Sequence, residues 1–195
     1  MDELSDTIVV KRLMRNLRYR QTYVKAFGSF LQPEPHHEVA RLLNVLISAQ
    51  ESAAVLLDGY LRSLGAGVPD LRPVKKLLDH ASSRKDMRSR LCFVHYGLNR
   101  AASWYKQQLL DRQMTADPDL KRLLFELGER EASSLWRTEM VMGRLGIRHE
   151  PALEVRSRVA RATPMNTEYR RSGERDGRRS FGRVPATRRK ARGAR

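Results

Sequence analysis

Four long stretches of this 195-residue chain repeat apolar residues at three- and four-residue spacing, and no stretch alternates them every second residue. That period belongs to helices, so the chain is expected to be all-α. The first stretch runs from about Ser5 to Leu31, with Ser5 or Asp6 as N-cap. It stops at Gln32-Pro33-Glu34-Pro35, where proline ends the hydrogen-bond ladder. The second runs from about Pro35 to Leu64 and stops at Gly65-Ala66-Gly67, with glycine as a left-handed C-cap. The third covers about Ser83–Arg112. The fourth covers about Asp117–Leu145, with Pro118 at its first helical position and Gly146 as its stop.

The links between stretches constrain the topology further. Only Gln32–Pro35 joins the first two, and only Gln113–Ala116 joins the last two. Links that short make antiparallel neighbours. Between the second and third lies a longer piece, Gly65–Ser82, with a short helical fragment at Val74–His80. The order hairpin, crossover, hairpin is expected, with an up-down bundle carrying one oversized loop as the alternative.

Charge divides the chain unevenly. The net charge is +16, and residues 155–195 hold 14 Lys and Arg against the acids Glu168, Glu174 and Asp176. That segment has only Tyr169 and Phe181 as aromatics and no apolar period, so residues 151–195 are expected to form a disordered Arg-rich tail behind a helical domain at 1–150. Arg170, Arg171, Arg178, Arg179, Arg188, Arg189, Lys190 and Arg192 are the candidate contacts of such an arm with nucleic acid or another polyanion, since clustered arginines neutralise phosphates and release counterions. A purely solubilising tail is the competing reading.

Other residues exclude functions. A single cysteine, Cys92, leaves no disulfide framework and no Cys-rich zinc site. No uninterrupted apolar run reaches the ~18 residues of a membrane span, so no membrane partner is expected. The opening MDELSDTIVV is acidic and lacks a cationic leader, so a cytoplasmic location is expected. His36 and His37 point about 100° apart on a helix and do not chelate one metal well. Cys92 and His95, three residues apart, lack a third orienting group, and a structural thiol is the simpler reading. Glycine-rich phosphate loops and the common hydrolase motifs are absent.

Placed on a wheel at 100° per residue, each stretch carries a polar interruption near its middle. Arg20 falls within the stripe of the first and Gln50 within that of the second. His95 lies at the edge of the third, and Glu131, Ser134 and Thr138 interrupt the fourth. A buried polar group without a partner costs a few kcal/mol, so interruptions at similar depth are expected to meet. Arg20 and Glu131 form the natural centre, with Gln50 and His95 adding hydrogen bonds. Trp104, Trp136, Phe93, Tyr96, Phe125 and Met140 fall on outer faces, which points either to a homo-oligomeric surface or to cover by the crossover.

The hairpin–crossover–hairpin order, with LLNVLISAQESAAVLLDGYLRSLGA in the second stretch and ADPDLKRLLFELGEREASSLWRTEMVMGRLGI in the fourth, resembles the ferritin-like superfamily in its rubrerythrin-like branches. The resemblance covers about residues 5–146 and implies a ferritin-like four-helix bundle. Active members of that superfamily hold two iron or manganese ions, using a carboxylate from each of two helices and a Glu-x-x-His from each of the others. This chain keeps the positions and loses the ligands. Gln50 and Ala53 stand where one Glu-x-x-His would be, and Glu131 and Ser134 stand for the other. Arg20 and His95 replace the remaining carboxylates. The resemblance therefore implies a degenerate metal site, no cofactor, and no catalysis by this route.

Three functions follow for testing. The first is a non-catalytic, self-associating helical bundle that binds polyanions through its tail. The second is a ferritin-like iron or manganese oxidase with unorthodox ligands such as Glu131, His95 and Glu51. The third is a DNA-associated protein in the manner of the ferritin-like DNA protectants.

Overall fold

In a computed structural model the described residues are 3–32, 36–67 and 71–148, and they form five α-helices and no strand. These are α1 (Glu3–Leu31), α2 (His37–Ser63), α3 (Lys75–Ser82), α4 (Met87–Leu110) and α5 (Pro118–Arg144). The chain is all-α. Residues 151–195, with every tail arginine named above and Lys190, lie outside the described residues, as does the Pro33–Pro35 stop.

Local chemistry sets the helix ends. Gly65 and Gly146 adopt φ of 71° and 65°. At both ends the next residue closes a Schellman motif: Ala66 N–H donates to the Leu61 carbonyl at 3.1 Å, and Ile147 N–H to the Met142 carbonyl at 2.8 Å. Asp117 caps α5 by accepting from Asp119 N–H at 2.8 Å, with Pro118 just inside. Two expected boundaries shift. Helix α1 starts at Glu3, so Ser5 and Asp6 lie within it. Helix α4 starts at Met87, four residues after Ser83, because Asp86 accepts from Ser89 N–H at 2.8 Å and caps there.

Helix α1 packs on α2, α4 on α5, α2 on α5, and α3 on α1. The buried apolar side chains fall into two clusters. One contains Phe27, Phe30, Leu43, Leu46, Leu91, Val94 and Met142. The other contains Leu13, Leu17, Leu57, Leu61, Tyr105, Leu120 and Leu124. Each fully buried leucine contributes about 1.5–3 kcal/mol. Along α1 the gap between the clusters holds Arg20, along α2 it holds Gln50, and along α5 it holds Glu131.

The segment after α2 is tied to α1. Arg18 Nε donates to the Arg72 carbonyl at 2.7 Å, and Val74 N–H donates to Thr22 Oγ1 at 3.0 Å. Helix α3 then lays Ala81, Leu77 and Leu78 against the first cluster. This cover buries Phe93, which the wheel placed on an outer face; its ring meets Phe30 edge-on at 5.6 Å. Nearby, Gly97 on α4 leaves room for Tyr23: a Cβ there would stand 2.8 Å from the Tyr23 ring.

Among the described residues one helix, α2, is long and apolar enough to cross a membrane, with mean hydropathy 1.3. That departs from the sequence expectation, which counted only uninterrupted apolar runs. Asn44, Ser48 and the Gln50-Glu51-Ser52 triplet break the run while the average stays high. A core helix passes the same test, and α2 supplies Leu43 and Leu46 to one cluster and Leu57 and Leu61 to the other.

Candidate functional site

The division between the two apolar clusters is a closed hydrogen-bond cluster. Arg20 on α1 is 4% exposed, Gln50 on α2 3%, Glu131 on α5 2% and Tyr105 on α4 0%. Arg20 Nη1 donates to Glu131 Oε1 at 2.8 Å and to Gln50 Oε1 at 2.9 Å. Its Nη2 donates to the Tyr105 hydroxyl at 2.6 Å, and its Nε to Asn16 Oδ1 at 3.1 Å. The Tyr105 hydroxyl donates to the same Asn16 oxygen at 2.7 Å. Gln50 Nε2 closes the ring by donating to both Glu131 oxygens, at 3.0 and 3.3 Å. Every member thus has a partner, the condition under which a buried charge pair is tolerated.

Electrostatics keep Arg20 charged and Tyr105 neutral. Burial alone pulls the Arg20 guanidinium down, but the Tyr105 and Glu131 oxygens outweigh it and raise its affinity for the proton. Burial pushes the Tyr105 hydroxyl up, against the opposing pull of Arg20. Burial likewise pushes Tyr23 above the ordinary phenol value, with the Glu131 charge adding to it. Both phenols therefore stay neutral, Tyr105 in direct contact with the Arg20 cation.

The cluster differs in membership from the one the sequence suggested. Arg20, Gln50 and Glu131 meet. His95 does not join them: it is half-buried and its Nε2 lies 3.1 Å from Glu139 Oε1, away from the cluster. Helix α4 contributes Tyr105 instead, ten residues further on. Tyr105 escaped notice because its ring fits an apolar stripe while its hydroxyl is the polar handle. Asn16 was also missed, although an asparagine four residues before a stripe arginine stands on the same face. Ala53 is buried within the second apolar cluster. Ser134 is buried on α5 beside Thr138, whose hydroxyl donates to the Ser134 carbonyl at 2.9 Å. Glu51 is exposed, so Glu131, His95 and Glu51 do not converge.

Among the described residues no three His, Cys, Asp or Glu side chains group closely enough to hold a metal ion. Cys92 is half-buried, in no disulfide, and packed against the first cluster. Two surface hollows are lined by α5, one of them with α2, and neither reaches Arg20, Gln50, Tyr105 or Glu131. Chemically, the cluster can fix the relative level of α1, α2, α4 and α5. Set against protein families, curated proteins and solved structures, the chain matches none.

Proposed function

We propose that the chain is a non-catalytic helical-bundle protein of the ferritin-like kind, with an internal ion pair where relatives of that fold would hold metal. Cluster order supports the bundle reading. Helix α1 meets the Leu13 cluster before the Phe27 cluster, α2 and α4 meet them in the reverse order, and α5 in the same order as α1. Two antiparallel hairpins joined by a crossover along α1 give that order, and an up-down-up-down bundle does not.

The observation that carries the functional reading is the bonding of Arg20 to Glu131 and Gln50 inside the bundle. The residues at the positions a di-metal site would use do not fit a metal. The one carboxylate, Glu131, already accepts from a guanidinium and an amide, and the guanidinium repels divalent cations. The test is metal analysis of the purified full chain before and after incubation with iron(II). No stoichiometric iron or manganese is expected. Bound metal at one or more ions per chain, or iron-dependent oxygen consumption, overturns the reading and favours the oxidase.

The reading also includes self-association, supported by the exposed Phe125, Trp136 and Met140, and a polyanion-binding arm at residues 155–195, supported by that segment's 14 Lys and Arg against three acids. Duplex DNA binding that weakens steeply with salt, and is lost when residues 155–195 are deleted, is the expected result. Equal binding by the shortened chain removes the arm from the account, and salt-independent binding removes the electrostatic mechanism.

A further inference from the structure

Helix α5 turns one face away from both apolar clusters, and that face is both apolar and charged. Phe125 and Trp136 are each 60% exposed and Met140 is 44% exposed. A solvent face this rich in large apolar groups marks a contact surface.

The arrangement of the charges identifies the occupant. At 100° per residue, Phe125 and Trp136 lie on one flank of the face and Glu126 and Arg137 on the other, with Glu129 and Met140 between them. Each pair is separated by eleven residues, about 16 Å of helix. The midpoints of the two pairs fall within one residue of each other. A second α5 laid antiparallel across a two-fold axis at that midpoint therefore sets Phe125 against Trp136 of the second copy and Glu126 against Arg137 of the second copy. In an antiparallel two-fold pair the same flank of each helix faces its equivalent, so both matches are made at once and each is made twice. Within the chain Glu126 accepts from Arg130 at 2.6 Å and keeps its second oxygen for another cation, while Arg137 has no ion-pair partner among the described residues. The shape agrees with the charge: the hollow lined by Arg122, Phe125, Glu126, Glu129, Arg130 and Ser133 lies where Trp136 of the second copy would enter, and its two arginines offer cations to the indole face.

We infer that the outer face of α5 is an isologous interface, and that its occupant is a second copy of this chain. The inference rests on the self-association proposed above and assigns its surface. An unrelated partner has no reason to match a pattern that is complementary to its own reversal.

The test measures mass in solution by sedimentation velocity on the full chain, with Glu126→Arg, Arg137→Glu, the double exchange and Trp136→Ser. The wild type is expected at twice the chain mass. Each single charge reversal sets like charges face to face twice and is expected to weaken the dimer at least about tenfold. The double exchange restores the match and is expected to return dimerisation to near the wild-type level, which a merely damaged fold could not do. Trp136→Ser, at an exposed position that leaves the core intact, is expected to give monomer with unchanged helical circular dichroism. A wild type that is monomeric at every concentration overturns both the interface and the self-association. A dimer indifferent to the charge reversals and to Trp136→Ser overturns this interface alone. Metal binding would overturn the proposed function while leaving the interface standing.

Discussion

Replacing Arg20 with methionine removes a buried cation and leaves its counter-charge behind. In the variant Glu131, 2% exposed, keeps only the Gln50 amide as a donor, at 3.0 and 3.3 Å. Tyr105 still donates to Asn16, so the damage concentrates on the carboxylate. Breaking a buried pair from one side costs about 3–5 kcal/mol, against about 0–1 kcal/mol for an exposed pair. With a urea m-value of about 2 kcal/mol/M, the midpoint should fall by about 2 M. Adding Glu131→Leu should recover most of the loss, since an apolar pair of similar volume is neutral or better, less about 1–3 kcal/mol for the stranded Gln50 amide. Urea titrations followed at 222 nm supply all of these values. A loss below about 1 kcal/mol in Arg20→Met refutes the claim that this pair is sealed from water.

Three further outcomes are expected. Gly97→Ala places a Cβ 2.8 Å from the Tyr23 ring and 2.9 Å from its hydroxyl, so it should cost about 1–3 kcal/mol by overpacking, read from the urea midpoint; adding Tyr23→Leu should relieve it. His80 accepts from Arg84 Nη2 at 2.7 Å, and burial first, then the Arg84 charge, hold its pKa below 6.5. Below that value the unfolded chain binds more protons, so thermal stability should fall as pH drops from about 6.5, with a smaller slope in His80→Gln. Asp117 caps α5, and the hydrogen bond from Tyr60 lowers its pKa; Asp117→Ala should cost about 1 kcal/mol, and Tyr60→Phe should raise the Asp117 pKa toward the ordinary carboxylate value, as followed by NMR titration.

Periodicity located each long helix to within a few residues because the helical repeat is a local property of the backbone. The stops at Gly65 and Gly146 were legible for the same reason: a positive φ favours glycine whatever the rest of the chain does. Boundaries moved where one side chain decided them, as at Asp86. The exposure of Phe125, Trp136 and Met140 was readable from the wheel, but the burial of Phe93 and the half-burial of Tyr96 and Trp104 were not. The burial of Phe93 depends on α3, a helix of eight residues whose docking no local pattern announces.

The sequence by itself determined that the chain would be helical, and that Arg20, Gln50 and Glu131 would lie on the apolar faces of their helices. It could not determine which residue of α4 would complete the cluster. A helical wheel gives the direction in which a side chain points but not its height relative to another helix. That height is set by how far the crossover carries the chain along α1, through the Arg72 and Val74 backbone contacts, before α4 begins. Only in the folded chain does Tyr105, and not His95, come level with Arg20. A buried guanidinium retains whichever oxygen reaches it, because in a low-dielectric interior the alternative is an unpaired charge.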